Sequence, residues 1–119
     1  MLFVSSTRES PLRVQDVLDA ISSIQQRIYG MTLEDFEEDE TIIKAVLYDF
    51  IVIGEASVNV PETIQRRHPD IPWRFMIGMR NVMAHEYFRV DLARVWATVQ
   101  EDLVPLIPQL EQLLSSELQ

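Results

Sequence analysis

Apolar residues recur at helical spacing through almost the whole chain, and this periodicity limits the possible folds more than any other feature of the sequence. Between the Ser10-Pro11 pair and Gly30, the apolar residues at that spacing are Val14, Val17, Leu18, Ile21, Ile24 and Ile28. Residues three and four apart share one face of a helix. Ser10 suits an N-cap, Pro11 the first helical position, and Gly30 a left-handed C-cap. The sequence therefore predicts a first helix bounded by these residues.

Two further helical segments follow in the first half of the chain. The segment from Thr32 to Asp35 has the signature of a short helical turn with acids near its positive end. A long second helix is predicted from about Asp39 to about Val60, with an apolar face broad enough to indicate burial on most sides. Within it, Gly54 and Ala56 are small and could permit close helix packing. The apolar face comprises Ile42, Ile43, Val46, Leu47, Phe50, Ile51, Ile53 and Val58.

Prolines divide the next part of the chain. A short helix is predicted from Pro61 to about Arg67, and residues 68–72 form a turn-rich connector because proline disfavours helix at the residue before it. A fourth helix is predicted from Trp73 to about Glu86. Its buried face is assigned to Phe75, Met76, Met79, Val82 and Met83.

The last helix is predicted to begin after Asp91, whose side chain suits an N-cap. Pro105 and Pro108 are expected to kink or split it, since proline lacks an N–H and clashes with the preceding turn. Trp73 and Trp96 occupy apolar positions and are expected in the core. No alternating strand pattern extends beyond a few residues. The sequence therefore predicts a single all-α domain, residues 1–119, folded as an antiparallel bundle of four to five helices.

Composition argues against several kinds of site. The chain has no cysteine, two histidines and three glycines. A disulfide framework, a cysteine nucleophile, a zinc site and a glycine-rich nucleotide loop are therefore not expected. The apolar start of the chain lacks the pattern of a signal peptide, and the longest apolar stretches are too short to span a membrane. We expect a soluble cytoplasmic protein that uses no cofactor or metal.

The charge of the chain is acidic overall but unevenly distributed. The net charge is −9, from 19 acidic and 10 basic residues, which by itself argues against binding to nucleic acid. The segment 61–94, however, holds six of the arginines and four acids, a local charge of +2, whereas the remainder of the chain carries −11. This segment is either a region for phosphate binding or ordinary variation on a solvated surface.

The stretch Arg80-Asn81-Val82-Met83-Ala84-His85-Glu86-Tyr87 lies in this segment. An arginine can hold a phosphate through two parallel N–H bonds, and a histidine can transfer a proton near neutral pH. These two groups suffice for cleavage of RNA without a metal, because the ribose 2′-OH itself is the nucleophile. Arg80 and His85 are therefore the candidate catalytic pair.

The spacing of this pair raises a geometric problem. Five residues correspond to about 140° around an ideal helix, so Arg80 and His85 would face different directions. Either the helix loosens near His85, or a partner subunit completes the site. The structural alternative is that Arg80 forms a salt bridge with an acid and His85 is a partly buried residue at a helix end.

Most other residues near the motif have both a functional and a structural interpretation. Asn81 could bind the ribose or orient His85, or it could be a structural amide. Tyr87 could bind RNA, be a site of modification, or be a core tyrosine with a satisfied hydroxyl. Glu55 could pair with an arginine such as Arg80, or face solvent. Arg74, from the same arginine-rich segment, is predicted to contact the substrate. His68, beside Arg66 and Arg67, could join a phosphate-binding patch or be a plain turn residue.

The order of these motifs resembles that of the HepT-like toxins, a branch of the HEPN superfamily. The resemblance rests on Gly54-Glu55-Ala56, on Pro69-Asp70-Ile71-Pro72-Trp73, on the R-x-x-x-x-H-x-Y pattern from Arg80 to Tyr87, and on Asp91 with Val95-Trp96. It covers most of the chain and shows no departure at Arg80, His85 or Tyr87. It implies an all-helical, HEPN-like fold and a two-fold homodimer whose paired motif helices form one composite cleft.

The resemblance also implies an activity and a partner. It implies the toxin of a type VII-like toxin–antitoxin pair, a metal-independent endoribonuclease that leaves a 2′,3′-cyclic phosphate, with Arg80 and His85 as catalytic residues. The implied antitoxin is a minimal nucleotidyltransferase that transfers AMP from ATP to the motif tyrosine, here Tyr87. The alternative is a non-catalytic HEPN module that binds nucleotides or serves as a scaffold for a nucleotidyltransferase.

Overall fold

All regular elements in the described part of the chain are helices. The computed structural model describes residues 10–81 and 89–118. The helices are α1 (Ser10–Ile28), α2 (Leu33–Glu38), α3 (Glu40–Val58), α4 (Glu62–Arg67), α5 (Trp73–Gly78), α6 (Leu92–Ala97), which continues as a π-helical turn (Thr98–Asp102), and α7 (Leu106–Glu117). The predicted all-α bundle is confirmed, with the short α2 and α4 beside the longer helices. No helix of these residues is both long and apolar enough to cross a membrane.

Capping residues define the ends of the first three helices. Gly30 has a φ of 78°, the left-handed conformation expected of a residue that ends a helix. The Thr32 hydroxyl accepts a bond from the backbone N–H of Asp35, and the Asp35 carboxylate accepts one from the N–H of Thr32, which makes a capping box for α2. The Asp39 carboxylate accepts from the N–H of Ile42 at 3.0 Å and caps α3. These local signals explain why the boundaries predicted here agree with the structure.

The core is formed mainly by α1, α3 and the C-terminal helix α7. Packing is most extensive between α1 and α3, and α1 also packs on α7 while α3 packs on α5. The largest fully buried side chains include Ile21, Ile24, Phe36, Leu47, Ile53, Met76, Leu103, Leu106, Leu110 and Leu113. Trp73 is buried as expected, whereas Trp96 is half-buried and packs its ring 5.5 Å from that of Phe36.

The predicted fourth helix is wrong in its length. It was expected to continue from Trp73 to about Glu86, but α5 ends at Gly78. The N–H of Met79 then bonds to the Met76 carbonyl and that of Arg80 to the Ile77 carbonyl, an i to i−3 pattern that tightens the chain into a turn. Helical geometry begins again at Asn81. Arg80 therefore lies in the turn that follows α5.

The last helix is split as predicted. The break lies at Pro105, and Pro108 does not interrupt α7. Pro105 precedes α7, where its missing N–H costs nothing. Pro108 lies in the first turn of α7, and a residue there has no intrahelical N–H bond to lose. A π-helical turn precedes the break, with the N–H of Leu103 bonded to the carbonyl of Thr98 at 3.0 Å.

The connector between α4 and α5 is held by the C-terminal helix. Glu117 accepts two bonds from the Arg67 guanidinium and lies 2.9 Å from His68 Nε2. The Trp73 indole donates to the His68 carbonyl at 3.0 Å. Gln109 donates to the Asp70 carbonyl. These contacts fix the start of α5, and the hydrogen bond between the His68 ring and Glu117 makes His68 a structural residue of this connector.

Candidate functional site

The backbone of Arg80 packs directly against α3 at Gly54. A Cβ atom placed on Gly54 would lie 2.6 Å from the Cβ of Arg80 and 2.9 Å from its Cα, and closer still to its backbone nitrogen. Real Cβ atoms do not approach other heavy atoms so closely, so a side chain at this position would displace one of the two segments. The close packing predicted for Gly54 is therefore confirmed, and its partner is the turn that carries Arg80.

The side chain of Arg80 is held by the residue that follows Gly54. Nη1 of Arg80 donates to Oε1 of Glu55 at 3.3 Å. The two side chains remain 39% and 55% exposed, respectively, so the pair contributes little to stability, about 0–1 kcal/mol. Its main effect is on orientation. The guanidinium has five N–H donors, and the other donors are available to an anion.

A groove lies beside this turn, between α3, α5 and α6. Its volume is about 500 Å³. Both residues predicted to bind substrate, Arg74 and Asn81, line it. The described part of the wall is otherwise largely apolar. The described lining residues are Phe50, Arg74, Phe75, Gly78, Met79, Asn81, Val90, Asp91, Arg94, Val95 and Thr98.

His85 and Tyr87 lie outside the described residues. Their roles remain predictions. The turn at Met79 and Arg80 nonetheless changes the geometric problem raised by the sequence. The angle of about 140° assumed one regular helix through both Arg80 and His85, and Arg80 does not belong to such a helix.

Two residues of the groove were not recognised from the sequence. Phe75 was assigned to the buried face of the fourth helix, but its side chain is 44% exposed. The spacing does contain the signal, because Trp73, Met76 and Met79 already form a buried strip three residues apart, and Phe75 falls off it. Arg94 was counted only as part of the local positive charge, and α6 places it in the groove wall.

The predicted phosphate patch around His68 has another explanation. Arg66 pairs with Glu62 at 2.7 Å, one helical turn away in α4. Arg67 and His68 both pair with Glu117. The two guanidinium groups and the imidazole therefore all have carboxylate partners in the chain itself. The arginines that line the groove lie elsewhere, on α5 and α6.

Comparison with known proteins places the chain among ribonuclease-like relatives. Residues 17–113 match the family described as Ribonuclease HepT-like. A protein named probable ribonuclease HepT, from Thermococcus cleftensis, is 40% identical over 100 residues, which cover 84% of this chain and 91% of that protein. A candidate RNase of Caldanaerobacter subterraneus subsp. tengcongensis is 30% identical over 104 residues, covering 87% and 93% of the two chains.

A third relative is about twice as long as the segment that aligns with this chain. It is named as a gamma-glutamylcyclotransferase and candidate RNase of Methanocaldococcus jannaschii, and 107 residues, or 90% of the present chain, align with 48% of that protein at 26% identity. No solved structure gives a significant match. The match to the family covers most of the sequence, and the arginine motif and the residues that support it lie inside the matched range. The chain belongs to the HepT-like family of the HEPN superfamily.

Proposed function

We propose that this protein is a metal-independent endoribonuclease that acts as the toxin of a type VII-like toxin–antitoxin pair in the cytoplasm. The observation that carries the proposal is the way Arg80 is held. Its backbone packs on Gly54, its guanidinium is oriented by Glu55, and part of that guanidinium remains exposed. Family membership and the names of the relatives support RNA as the substrate.

Arg80 and His85 would divide the chemistry of cleavage between them. The ribose 2′-oxygen attacks the adjacent phosphorus and loses its proton, the bond from phosphorus to the 5′-oxygen breaks, and that oxygen gains a proton. His85 moves the proton, and Arg80 stabilises the negative charge on the phosphate oxygens. The products are a 2′,3′-cyclic phosphate and a 5′-hydroxyl. Asn81 and Arg74 would hold the RNA beside the reacting phosphate.

The active form would be a homodimer with one composite cleft. A two-fold axis can bring Arg80 of one subunit close to His85 of the other, so the two residues need not face one site within a single chain. Light scattering should therefore give a dimer at micromolar concentration, and a mixture of the Arg80→Ala and His85→Ala proteins should recover part of the activity. A monomer at that concentration with full activity would contradict the composite site.

Control of the toxin would act on Tyr87. A minimal nucleotidyltransferase antitoxin would transfer AMP from ATP to the Tyr87 hydroxyl. The added phosphate would place negative charge in the cleft and repel the RNA backbone.

An RNase assay in EDTA tests the catalytic assignment. Arg80→Ala and His85→Ala should each abolish cleavage while circular dichroism and thermal melting remain near those of the wild type. Arg66→Ala is a matched control, since Arg66 is also an exposed arginine paired with a carboxylate one turn away, and it should retain activity. Undiminished cleavage by both site variants would refute the roles given to Arg80 and His85. An inactive but folded wild type would instead support a scaffold module without catalysis.

A further inference from the structure

Phe75 is a large aromatic side chain in a position that the hydrophobic core does not require. It is 44% exposed, whereas its neighbours Trp73 and Met76 on α5 are 8% and 0% exposed. The ring forms part of the groove wall beside Arg74. A half-exposed ring in a concave, largely apolar surface is suited to stacking against a flat ligand.

Two guanidinium groups accompany this ring. Arg74 is next to Phe75 on α5, and Arg94 reaches the same groove from α6. Within residues 10–81 and 89–118, neither guanidinium lies within salt-bridge distance of a carboxylate. The acid in the groove wall, Asp91, already accepts the backbone N–H of Arg94 at 3.1 Å as the cap of α6. The groove therefore presents an aromatic ring with cations beside it, on a chain whose net charge is −9.

We propose that this groove binds one unpaired nucleobase of the RNA, stacked on Phe75, with the adjoining phosphates held by Arg74 and Arg94. Single-stranded RNA is typically recognised in this way, by stacking on aromatic rings combined with charge neutralisation of the backbone. The volume of about 500 Å³ lies within the range of about 300–1,000 Å³ found for small-ligand pockets. The inference rests on the proposed function, because it takes RNA as the substrate.

The position of the groove relates this base to the site of cleavage. Met79 and Asn81 line the groove, and Arg80 lies between them in the sequence. A base held there belongs to a nucleotide next to the phosphate that Arg80 contacts. The consequence is a preference for single-stranded RNA, since a base within a duplex cannot leave its stack without a cost of a few kcal/mol.

A second copy of this chain is a weaker candidate for the groove. A two-fold contact would bring the same cationic surface from both subunits together, and the acid of the groove already serves as a helix cap. An anionic ligand satisfies both guanidinium groups, whereas a copy of the same surface does not.

Binding can be measured without cleavage by using a fluorescein-labelled 2′-O-methyl oligonucleotide, which has no free 2′-OH to act as the nucleophile. Fluorescence anisotropy should show that Phe75→Ala binds this probe about tenfold more weakly, the effect expected for loss of one stacked base. Phe75→Tyr should bind like the wild type because it keeps the ring. Arg94→Gln should bind more weakly and with a shallower dependence on salt. Arg66→Gln, outside the groove, should be unchanged.

An oligonucleotide with one abasic position separates stacking from other effects of the substitution. The abasic position is moved along a series of such oligonucleotides. If a base stacks on Phe75, its removal at one of these positions should weaken binding to the wild type and leave binding to Phe75→Ala unchanged. Wild-type affinity of Phe75→Ala would overturn the inference. A second result would also overturn it. If Phe75→Ala became monomeric in light scattering while its affinity for the RNA probe stayed the same, the groove would be the site of a second copy of the chain.

The two proposals fail in different ways in these measurements. Absence of RNA cleavage with intact binding of the 2′-O-methyl probe would count against the catalytic proposal alone. Cleavage that depends on Arg80 and His85 but is indifferent to Phe75 and Arg94 would count against the base-binding groove alone.

Discussion

Gly54 and Arg80 are in backbone contact, although α4, α5 and the connector between them separate the two residues in the chain. The absence of a side chain at Gly54 allows the turn at Arg80 to rest on α3. Glu55, the next residue, then receives the guanidinium. Two successive residues of one helix therefore set both the backbone and the side chain of the candidate catalytic arginine.

Substitution of Gly54 should disturb the site and the fold together. Gly54→Ala forces the turn and α3 apart, and overpacking of this kind costs about 1–3 kcal/mol. Urea denaturation should show this loss, and RNA cleavage per folded molecule should fall because Arg80 is displaced. Gly78→Ala is the matched control for stability alone, since a Cβ there meets no described residue within 4 Å and it replaces a helical glycine by a better helix former. Equal stability of the two variants would contradict the close contact.

Loss of the Glu55 carboxylate should affect activity more than stability. Glu55→Gln removes a charge from an exposed pair, so the free energy of unfolding should change by less than about 1 kcal/mol. The orientation of Arg80 is weakened, and kcat for RNA should fall several-fold with a smaller change in KM. Glu62→Gln breaks the similar exposed pair with Arg66 in α4 and should leave kcat unchanged. If both variants cleave RNA like the wild type, Glu55 does not position Arg80.

The parts of this fold that follow from local signals were predictable from the sequence, and the parts that depend on distant contacts were not. Gly30, the Thr32 capping box and Asp39 act within a few residues of the helix ends that they set. The turn at Arg80 depends on its packing against Gly54, which no local pattern contains.

The same distinction applies to the candidate site. Arg74 and Asn81 lie in one groove partly because they are close in the chain, and the local positive charge predicted their neighbourhood. Arg94 belongs to α6, which follows residues 82–88 in the chain. Only the packing of the helices shows that Arg94 lines the same groove. The hydrogen bond of His68 with Glu117 spans 49 positions, so the sequence left His68 open between two roles.

Acid should weaken the contact between α7 and the connector before α5. Arg67 and His68 donate hydrogen bonds to Glu117 and lower its pKa from 4.5 to about 2. A carboxylate with a lowered pKa in the folded state stabilises the fold at pH values above its unfolded pKa, and this contribution is lost as the pH falls through the folded pKa. The stabilisation by Glu117 is therefore complete above about pH 4.5 and declines towards pH 2.

Urea denaturation between pH 2 and pH 6 can measure this contribution. The wild type should lose stability on acidification more steeply than Glu117→Gln, which has no carboxylate to protonate at this position. Glu111→Gln, on an exposed position of the same helix, should follow the wild type. Parallel curves for the wild type and Glu117→Gln would show that the pair contributes nothing to folding.

Tyr87 provides the sharpest test of the proposed control by an antitoxin. It lies two positions beyond His85, about 200° on a regular helix, so both side chains can face one cleft only if the helix ends or opens between them. Asp91, which caps α6, shows that a new helix begins shortly after Tyr87. Tyr87→Phe should keep the fold and most RNA cleavage, because the proposed chemistry needs only Arg80 and His85, but it should abolish neutralisation by the nucleotidyltransferase with ATP.

Intact-mass spectrometry after incubation with that partner and ATP should show AMP added to the wild type and none added to Tyr87→Phe. The chain offers two controls, Tyr29 and Tyr48, whose side chains are 88% and 63% exposed. Exposure alone would make them better acceptors than a tyrosine in a cleft, so Tyr29→Phe and Tyr48→Phe should still gain AMP if the antitoxin recognises the site around His85. If Tyr87→Phe gains the same mass as the wild type, another residue is the acceptor, and the control of this toxin does not act through Tyr87.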